Sequence, residues 1–208
     1  QFSKDHLYHV YNRGNQSQKI FFSRDNYLFF LQKIGTYFLP YADILAWCLM
    51  PNHFHLMVYV RQVEMTFTTD LARSKSAQAG SKLPKTNTRT LNQSISIILR
   101  SYTRAIQKQE RFTGSLFQQR TKAICLTETK GVTPAWKNHP YGTIINNPDP
   151  EKEYPQQCFH YIHRNPQDAR LVNHPADWEF SSYRDYAGLR NGKLINRERA
   201  AEFGLTLH

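Results

Sequence analysis

Apolar and polar residues alternate in short runs within the first sixty residues of the chain. The run 8–11 (YHVY) is β-branched and aromatic, and it stops at turn-forming residues in the segment 12–15. Two longer apolar runs, 44–50 and 53–60, are separated only by Pro51-Asn52, a composition typical of a tight hairpin. The pattern predicts three strands, of which the last two pair.

Apolar residues at helical spacing predict two long helices. The first covers 24–38, behind a cap at Ser23 or Asp25 and before Pro40. The second is amphipathic and ends near Gly114; its apolar residues are Ile95, Ile98, Leu99, Tyr102, Ala105 and Ile106. Further on, the run 123–126 (AICL) predicts a strand, and residues 155–165 predict a short helix that Pro166 stops.

The order of these elements is strand, helix, strand, strand, helix, strand and a carboxy-terminal helix. This order is typical of the split β-α-β arrangement, in which an antiparallel sheet carries helices on one face. We therefore predict an α+β fold of the ferredoxin-like or RRM-like type, to which the last helix is added.

Two segments interrupt this order. Residues 61–91 accumulate Arg, Lys, Ser, Thr, Gly and Pro without periodicity, and they predict a basic, mobile loop. Residues 127–155 are rich in Pro, Gly and Asn and predict an inserted loop. A chain of 208 residues is close to the size of one ordinary domain, so we predict a single domain, 1–208, with these two elaborations.

The chain is strongly basic, with 27 Lys and Arg against 16 Asp and Glu and a formal charge of +11. A field of this sign attracts polyanions, so nucleic acid is the expected partner; a protein that is basic only for solubility is the alternative. The three cysteines lack metal-site spacing and suggest a reducing compartment. The most apolar stretch, 27–50, is broken by polar residues and Pro40, so we predict a soluble, cytoplasmic protein without a membrane span.

The segment 49–58 (LMPNHFHLMV) places His53 and His55 two residues apart on a predicted strand. Side chains at i and i+2 share one face of a strand, about 6 to 7 Å apart, so the two imidazoles project together while Phe54, Leu56 and Val58 point into the core. Two imidazoles at this spacing can bind one metal ion. A pair of surface or cross-strand histidines is the alternative interpretation.

The segment 158–166 (CFHYIHRNP) adds Tyr161 and Asn165, which lie four residues apart and therefore on one face of a helix. Asn165 offers an oxygen to a metal ion and Tyr161 a phenol beside it, a combination suited to phosphodiester transesterification. Alternatively, Tyr161 packs between helix and sheet and Asn165 caps the helix end before Pro166.

Other polar residues are weaker candidates. Tyr102 is a rival nucleophile, but its neighbours place it on or beside the buried face of its helix. His160 and His163 flank Tyr161 and could orient a phosphate, or be surface histidines. Asn12 and Arg13 could clamp a DNA phosphate, or serve only as turn residues. Further candidates for DNA binding are Arg61, residues 73–85, Arg120, Lys122 and Arg164.

Several motifs together resemble those of the REP-associated tyrosine transposases, relatives of the single-tyrosine transposases with a His-hydrophobic-His motif. The likeness runs from about Tyr8 to about Leu189. Its motifs are YHVYNRG and IFF near the amino terminus, LMPNHFHLMV, GSLFQQR at 114–120, YIHRNP, and the tail from Trp178 through Tyr183 to Tyr186.

The resemblance implies a ferredoxin-like catalytic domain, dependence on Mg²⁺ or Mn²⁺, and action on DNA that folds into imperfect hairpins. By the same resemblance, His53 and His55 match the paired metal ligands, Tyr161 the attacking tyrosine, and Asn165 the side chain that completes the metal shell. The expected function is nicking and strand transfer of single-stranded DNA through a 5′-phosphotyrosine, by a monomer or a homodimer.

Two other functions stay open at this stage. One is a non-catalytic nucleic-acid binder on the same fold, such as a domesticated transposase or an RNA-binding module. The other is a replication initiator or relaxase with the same histidine pair. Those enzymes often use two neighbouring tyrosines, whereas the predicted helix contains one, Tyr161, apart from the distant Tyr154.

Overall fold

The protein is built from eight strands and five α-helices within the residues that the structure describes. The computed structural model describes residues 1–69, 85–128, 136–139, 142–145 and 150–207. In chain order the elements are β1 (Leu7–Arg13), α1 (Arg24–Tyr37), β2 (Ala42–Met50), β3 (His53–Val60), β4 (Glu64–Thr69), β5 (Lys85–Thr90), α2 (Leu91–Glu110), β6 (Lys122–Cys125), β7 (Trp136–His139), β8 (Gly142–Ile145), α3 (Pro150–Asp168), α4 (Tyr183–Tyr186) and α5 (Arg197–Glu202).

Four of the strands form the central antiparallel sheet, in the order β2-β3-β1-β6. The second and third strands pair as the Pro51-Asn52 turn predicts, and the register places Tyr11 opposite His55 and Arg13 opposite His53. This is the strand order of the ferredoxin-like fold. The predicted α+β fold class is therefore confirmed.

One face of the sheet carries the main core. Phe54, Leu56 and Val58 are buried here, against α1 and α2. The helices contribute the residues that their periodicity predicts, among them Phe30 and Ile34 from α1 and Ile95, Ile98, Tyr102 and Ile106 from α2. Each fully buried large apolar side chain contributes about 1.5 to 3 kcal/mol of transfer free energy, so this face dominates the stability of the fold.

The opposite face of the sheet is covered by α3. Phe159 and Ile162 are fully buried against Cys48 and Met57, which project from β2 and β3. α3 therefore packs on the face of the sheet opposite to α1 and α2. This second core fixes the position of α3 relative to the side chains that β1 and β3 direct to the same face.

The carboxy-terminal segment covers the edge of β2. The backbone N–H of Leu49 donates to the carbonyl of Phe180, and the N–H of Ser182 to the carbonyl of Trp47, both at 2.9 Å. The buried carboxylate of Asp185 accepts from the Arg190 guanidinium at 2.8 and 2.7 Å. Backbone groups at the edge of β2 thus find hydrogen-bond partners within the chain.

The segment 61–91 was predicted as a loop, and for its described ends this is wrong. β4 and β5 form a two-stranded antiparallel ladder, with Glu64 opposite Thr90 and Thr69 opposite Lys85. Both strands are rich in threonine, whose β-branched side chain favours extended backbone. Residues 70–84, with most of the predicted basic stretch, lie outside the described residues.

The predicted loop 127–155 also contains regular structure. β7 and β8 form an antiparallel pair, and α3 begins at Pro150 rather than at 155. Pro166 does not stop this helix, which continues to Asp168. A proline so close to the helix end removes a single backbone hydrogen bond, which α3 tolerates because its buried residues hold it on the sheet. Within the described part of the chain, no helix is long and apolar enough to cross a membrane.

Candidate active site

His53 and His55 project from β3 toward the face of the sheet that α3 covers. Their ring centroids lie 4.9 Å apart with the planes nearly perpendicular, and His55 is buried while His53 is half-buried. Phe54 between them points into the main core. The shared face of the two histidines, predicted from their spacing, is present in the structure.

α3 brings Tyr161 and Asn165 to the same place. Oδ1 of Asn165 lies 3.0 Å from Nε2 of His53, and the ring of Tyr161 lies 5.3 Å from the ring of His55, edge to face. Asn165 is buried, whereas the side chain of Tyr161 is 48% exposed. The four residues singled out from the sequence therefore meet within one chain, and Tyr161 is not packed away between helix and sheet.

His53, His55 and Tyr161 border a cavity of about 270 Å³, which we call the catalytic cavity. Its lining residues are Tyr11, Asn12, Arg13, His53, His55, Gln118, Arg120, Lys122 and Tyr161. The cations come from the end of β1 and the start of β6. Among the described residues, these cations form no ion pair, and no Asp or Glu lines the cavity. The cavity thus presents free positive charge, which suits a phosphate group.

His9 on β1 belongs to the same site, and the sequence analysis missed it. Its Nε2 lies 2.8 Å from Nδ1 of His55, and its ring lies 6.1 Å from that of Tyr161. The signal was present in the run YHVY, because alternation places His9 and Tyr11 on the face opposite to the core residues Tyr8 and Val10. Only the pairing of β1 with β3 reveals which other side chains share that face.

The histidines of the site favour their neutral forms. Burial lowers the pKa of His55 well below its ordinary value, and the nearby His9, His53 and Arg13 lower it further. Burial also lowers the pKa of His9 to about 4. For His53 burial again lowers the pKa, aided by Arg13 and opposed by the Asn165 oxygen. Neutral imidazoles offer lone pairs, as metal ligands must.

The orientation of His53 exposes such a lone pair. The Asn52 amide donates from Nδ2 to the carbonyl of Ser17 at 3.3 Å, so its Oδ1 faces Nδ1 of His53 at 2.6 Å and accepts from it. Nε2 of neutral His53 then carries no proton and faces Oδ1 of Asn165. Two acceptors converge here, an arrangement that a shared cation satisfies.

The donor set fits a divalent metal ion. Nε2 of His55 is buried and has no hydrogen-bond partner among the described residues, and His53 and Asn165 supply one nitrogen and one oxygen beside it. Adjacent ligands of an octahedral ion at about 2.1 Å lie about 3 Å apart, which agrees with the His53 to Asn165 contact. No cluster of three or more His, Cys, Asp or Glu side chains suited to a metal occurs in the described ranges. The fit therefore depends on the Asn165 oxygen.

The remaining predicted residues divide into two groups. Arg13, Arg120 and Lys122 line the catalytic cavity, as does Asn12. The amide of Asn12 is engaged within the protein, since it donates to the carbonyl of Gln118 at 3.2 Å and to Thr121 Oγ1 at 3.0 Å. Asn12 thus holds the segment before β6 in place rather than presenting a free clamp.

Arg164 and His163 are not at the catalytic cavity, although both are close to Tyr161 in sequence. Arg164 pairs with Asp168 at 3.6 Å. His163 is buried, with Nε2 2.8 Å from Oγ of Ser182. With 3.6 residues per turn, His163 is rotated about 200° from Tyr161 around α3, whereas Arg164 is offset by only about 60° and is held by its ion pair with Asp168.

Three further candidates lie away from the catalytic cavity. Tyr102 is fully buried and donates from Oη to the carbonyl of Ile20 at 2.7 Å, and burial raises its pKa strongly, so it is no nucleophile. Arg61 pairs with Asp43 at 3.1 Å. His160 lines a separate cavity with Arg164 and His174.

The fold is similar to that of a solved structure described as "Structure of the REP associates tyrosine transposase bound to a REP hairpin". The TM-score is 0.55, the identity is 14%, and the match covers 95% of this chain and 94% of the other. At this identity the likeness shows a shared fold. No protein-family model and no curated protein matches the chain.

Proposed function

We propose that the protein nicks single-stranded DNA through Tyr161 and rejoins it by strand transfer, with Mg²⁺ or Mn²⁺ bound by His53, His55 and Asn165. One observation carries this proposal. The half-exposed phenol of Tyr161 lies at the catalytic cavity, against the ring of a buried histidine whose Nε2 has no partner among the described residues. A protein that only binds DNA has no need of such a juxtaposition.

The cations of the cavity bind and orient the scissile phosphate. Arg13 lies at the end of β1 and Arg120 in the segment before β6, and Lys122 lies over the ring of Tyr11 at 5.7 Å. Charge-assisted hydrogen bonds from these groups hold the phosphate oxygens and oppose the charge that develops during attack.

The chemical step is a transesterification at phosphorus. Oη of Tyr161 attacks the phosphorus, the Oη–P bond forms, and the bond from phosphorus to the 3′ oxygen breaks. The phenol loses its proton and the departing 3′ oxygen gains one, so the products are a 5′-phosphotyrosine and a free 3′-hydroxyl. A bound Mg²⁺ or Mn²⁺ supplies Lewis-acid charge at the scissile phosphate.

Strand transfer follows from the reversibility of this step. One phosphodiester replaces another, so attack by a second 3′-hydroxyl on the phosphotyrosine restores the phenol and joins the strands without a nucleotide cofactor. The solved structure of similar fold is described as bound to a REP hairpin. This supports hairpin-forming repeat DNA as the substrate class of the present protein.

The proposal is tested with 3′-end-labelled hairpin DNA that carries single-stranded flanks, because the 5′-phosphotyrosine retains the DNA on the 3′ side of the break. The protein is incubated with this DNA and Mn²⁺, and covalent complexes are separated on a denaturing gel. We expect a labelled adduct that is absent with excess chelator and absent from Tyr161→Phe. Tight binding without an adduct under all metal conditions would instead identify a non-catalytic binder.

A further inference from the structure

A second, larger concavity lies along the exposed side of α2. It has a volume of about 610 Å³ and runs between this helix and the segment 115–119, and we call it the α2 groove. Its helix wall is formed by Leu99 together with a stripe of six polar residues, Gln93, Ser96, Arg100, Thr103, Arg104 and Gln107. At 1.5 Å per residue this stripe is about 21 Å long, which is the span of several nucleotides.

The opposite wall of the α2 groove is held firmly. The segment 115–119 is bound by Gln18, whose Nε2 donates to the carbonyls of Ser115 and Leu116 at 2.8 and 3.0 Å. Gln107 closes one end by donating from Nε2 to the carbonyl of Gly114 at 2.6 Å. Hydrogen bonds within the chain therefore fix the wall and one end of the α2 groove.

The charge of the α2 groove is positive. Arg100 and Arg104 are exposed and form no ion pair among the described residues, and no Asp or Glu occurs among the described residues that line the groove. The aromatic side chain in its lining, Phe117, is buried and offers no stacking platform. Guanidinium and amide donors without an exposed ring suit the sugar-phosphate backbone rather than the bases.

The α2 groove and the catalytic cavity share one lining residue, Gln118. Arg120 follows two residues later in the cavity wall. The backbone N–H of Gln118 donates to the carbonyl of Arg13 at 2.8 Å, which fixes the junction. The two strands of a DNA duplex have backbones separated by grooves about 6 to 12 Å wide. The catalytic cavity, at about 270 Å³, has no room for both backbones. A DNA segment that passes from the catalytic cavity to the α2 groove past Gln118 is therefore a single strand.

We propose that the α2 groove binds the single-stranded DNA that continues from the scissile phosphate, with Arg100 and Arg104 contacting its backbone. This inference rests on the proposed function and names the path of its substrate. It assigns to α2 a role in DNA binding in addition to its role in the core.

The test compares Arg100→Gln/Arg104→Gln with Arg170→Gln/Lys193→Gln, which removes equal charge from exposed positions that line neither the α2 groove nor the catalytic cavity. Both pairs are made in the Tyr161→Phe protein, so binding is measured without cleavage. The probes are a blunt hairpin and the same hairpin with a single-stranded flank, titrated at several salt concentrations.

We expect the groove variant to bind the flanked hairpin about tenfold more weakly at low salt and to reduce the slope of log K against log salt by about 1.4, as two lost single-strand phosphate contacts require. The blunt hairpin should bind as in the control pair. Equal loss with both probes would place the duplex stem in the groove, and no loss beyond the control would leave the groove without DNA; either result overturns the inference. Failure of the proposed function is distinguished by the adduct assay on the protein that keeps Tyr161, Arg100 and Arg104: absence of the adduct there rejects the proposed function, whatever DNA the groove variants bind.

Discussion

Nε2 of His9 lies 2.8 Å from Nδ1 of His55, on the sheet face that α3 covers. Both imidazoles are buried, and Nε2 of His55 has no partner among the described residues. When His55 donates from Nδ1 to His9, its Nε2 is left with a lone pair for a metal ion. Outer partners of this kind fix the tautomer and the ring orientation of a ligand.

Replacing His9 therefore tests the proposed metal site through a residue that orients a ligand but does not bind the metal itself. His9→Phe removes the acceptor, and we expect Mn²⁺ affinity measured by calorimetry to fall about 10-fold to 100-fold. His9→Gln keeps an acceptor oxygen and should recover part of this loss. Equal Mn²⁺ affinity of His9→Phe and the unmodified protein would show that His9 does not orient His55.

Asn165 supplies the oxygen ligand in the proposed site. Asn165→Ala removes that oxygen, and we expect Mn²⁺ binding, followed by electron paramagnetic resonance, to weaken at least about tenfold. Asn165→Asp adds a carboxylate, which hard cations prefer, and should bind Mn²⁺ at least as tightly as the unmodified protein. If Asn165→Ala binds Mn²⁺ normally, Asn165 serves only to hold α3 against His53.

Tyr102 provides a control for the choice of nucleophile. Its Oη donates to the carbonyl of Ile20 in the core, so Tyr102→Phe leaves that buried carbonyl without its partner. We expect the free energy of unfolding in urea to fall by about 1 kcal/mol while adduct formation per folded molecule is unchanged. Loss of the adduct in folded Tyr102→Phe would contradict the assignment of Tyr161.

The buried His163 predicts a pH dependence of stability. Burial lowers its pKa to about 3, whereas an imidazole in the unfolded chain titrates near 6.5. Between these values the unfolded chain binds a proton at this imidazole and the folded protein does not. The contribution of neutral His163 to the free energy of unfolding is therefore complete above about pH 6.5 and is lost as the pH falls toward 3. At pH 5 the loss amounts to about 2 kcal/mol.

His163→Gln isolates this contribution, since the other buried histidines are common to both proteins. We expect the unmodified protein to exceed the variant in unfolding free energy at pH 7.5, and the difference to shrink by about 2 kcal/mol at pH 5. Urea titrations at the two pH values measure it. A difference that stays constant would mean that His163 takes up its proton in the folded state.

Local patterns predicted much of the central sheet. The alternation in HFHLMV assigned His53 and His55 to one face and Phe54 to the other, because the side-chain period of a strand is two regardless of its surroundings. The same period in YHVY placed His9 opposite the core, yet its contact with His55 depends on which strands pair. That pairing is a long-range property, and neither run specifies it alone.

Local sequence patterns do not predict how α3 docks on the sheet. The spacing of Tyr161 and Asn165 predicted a shared helix face, but not the burial of Phe159 and Ile162 on the sheet face opposite to α1 and α2. Pro166 is a local stop signal, but the packing of α3 on the sheet overrides it. The charge of Arg164 predicts DNA binding, whereas its ion pair with Asp168 and its absence from the lining of the catalytic cavity depend on how α3 docks.

The central claim is that Tyr161 is the residue joined to DNA, and mapping of the covalent adduct tests it most directly. Trypsin cuts after Lys152 and Arg164, so the peptide 153–164 contains both Tyr154 and Tyr161, and fragmentation in a mass spectrometer separates them. After reaction with hairpin DNA and Mn²⁺ and nuclease trimming, we predict the nucleotide mass on Tyr161. Nucleotide mass on Tyr154 or on any other residue, or strand cleavage with no modified peptide, would contradict the account.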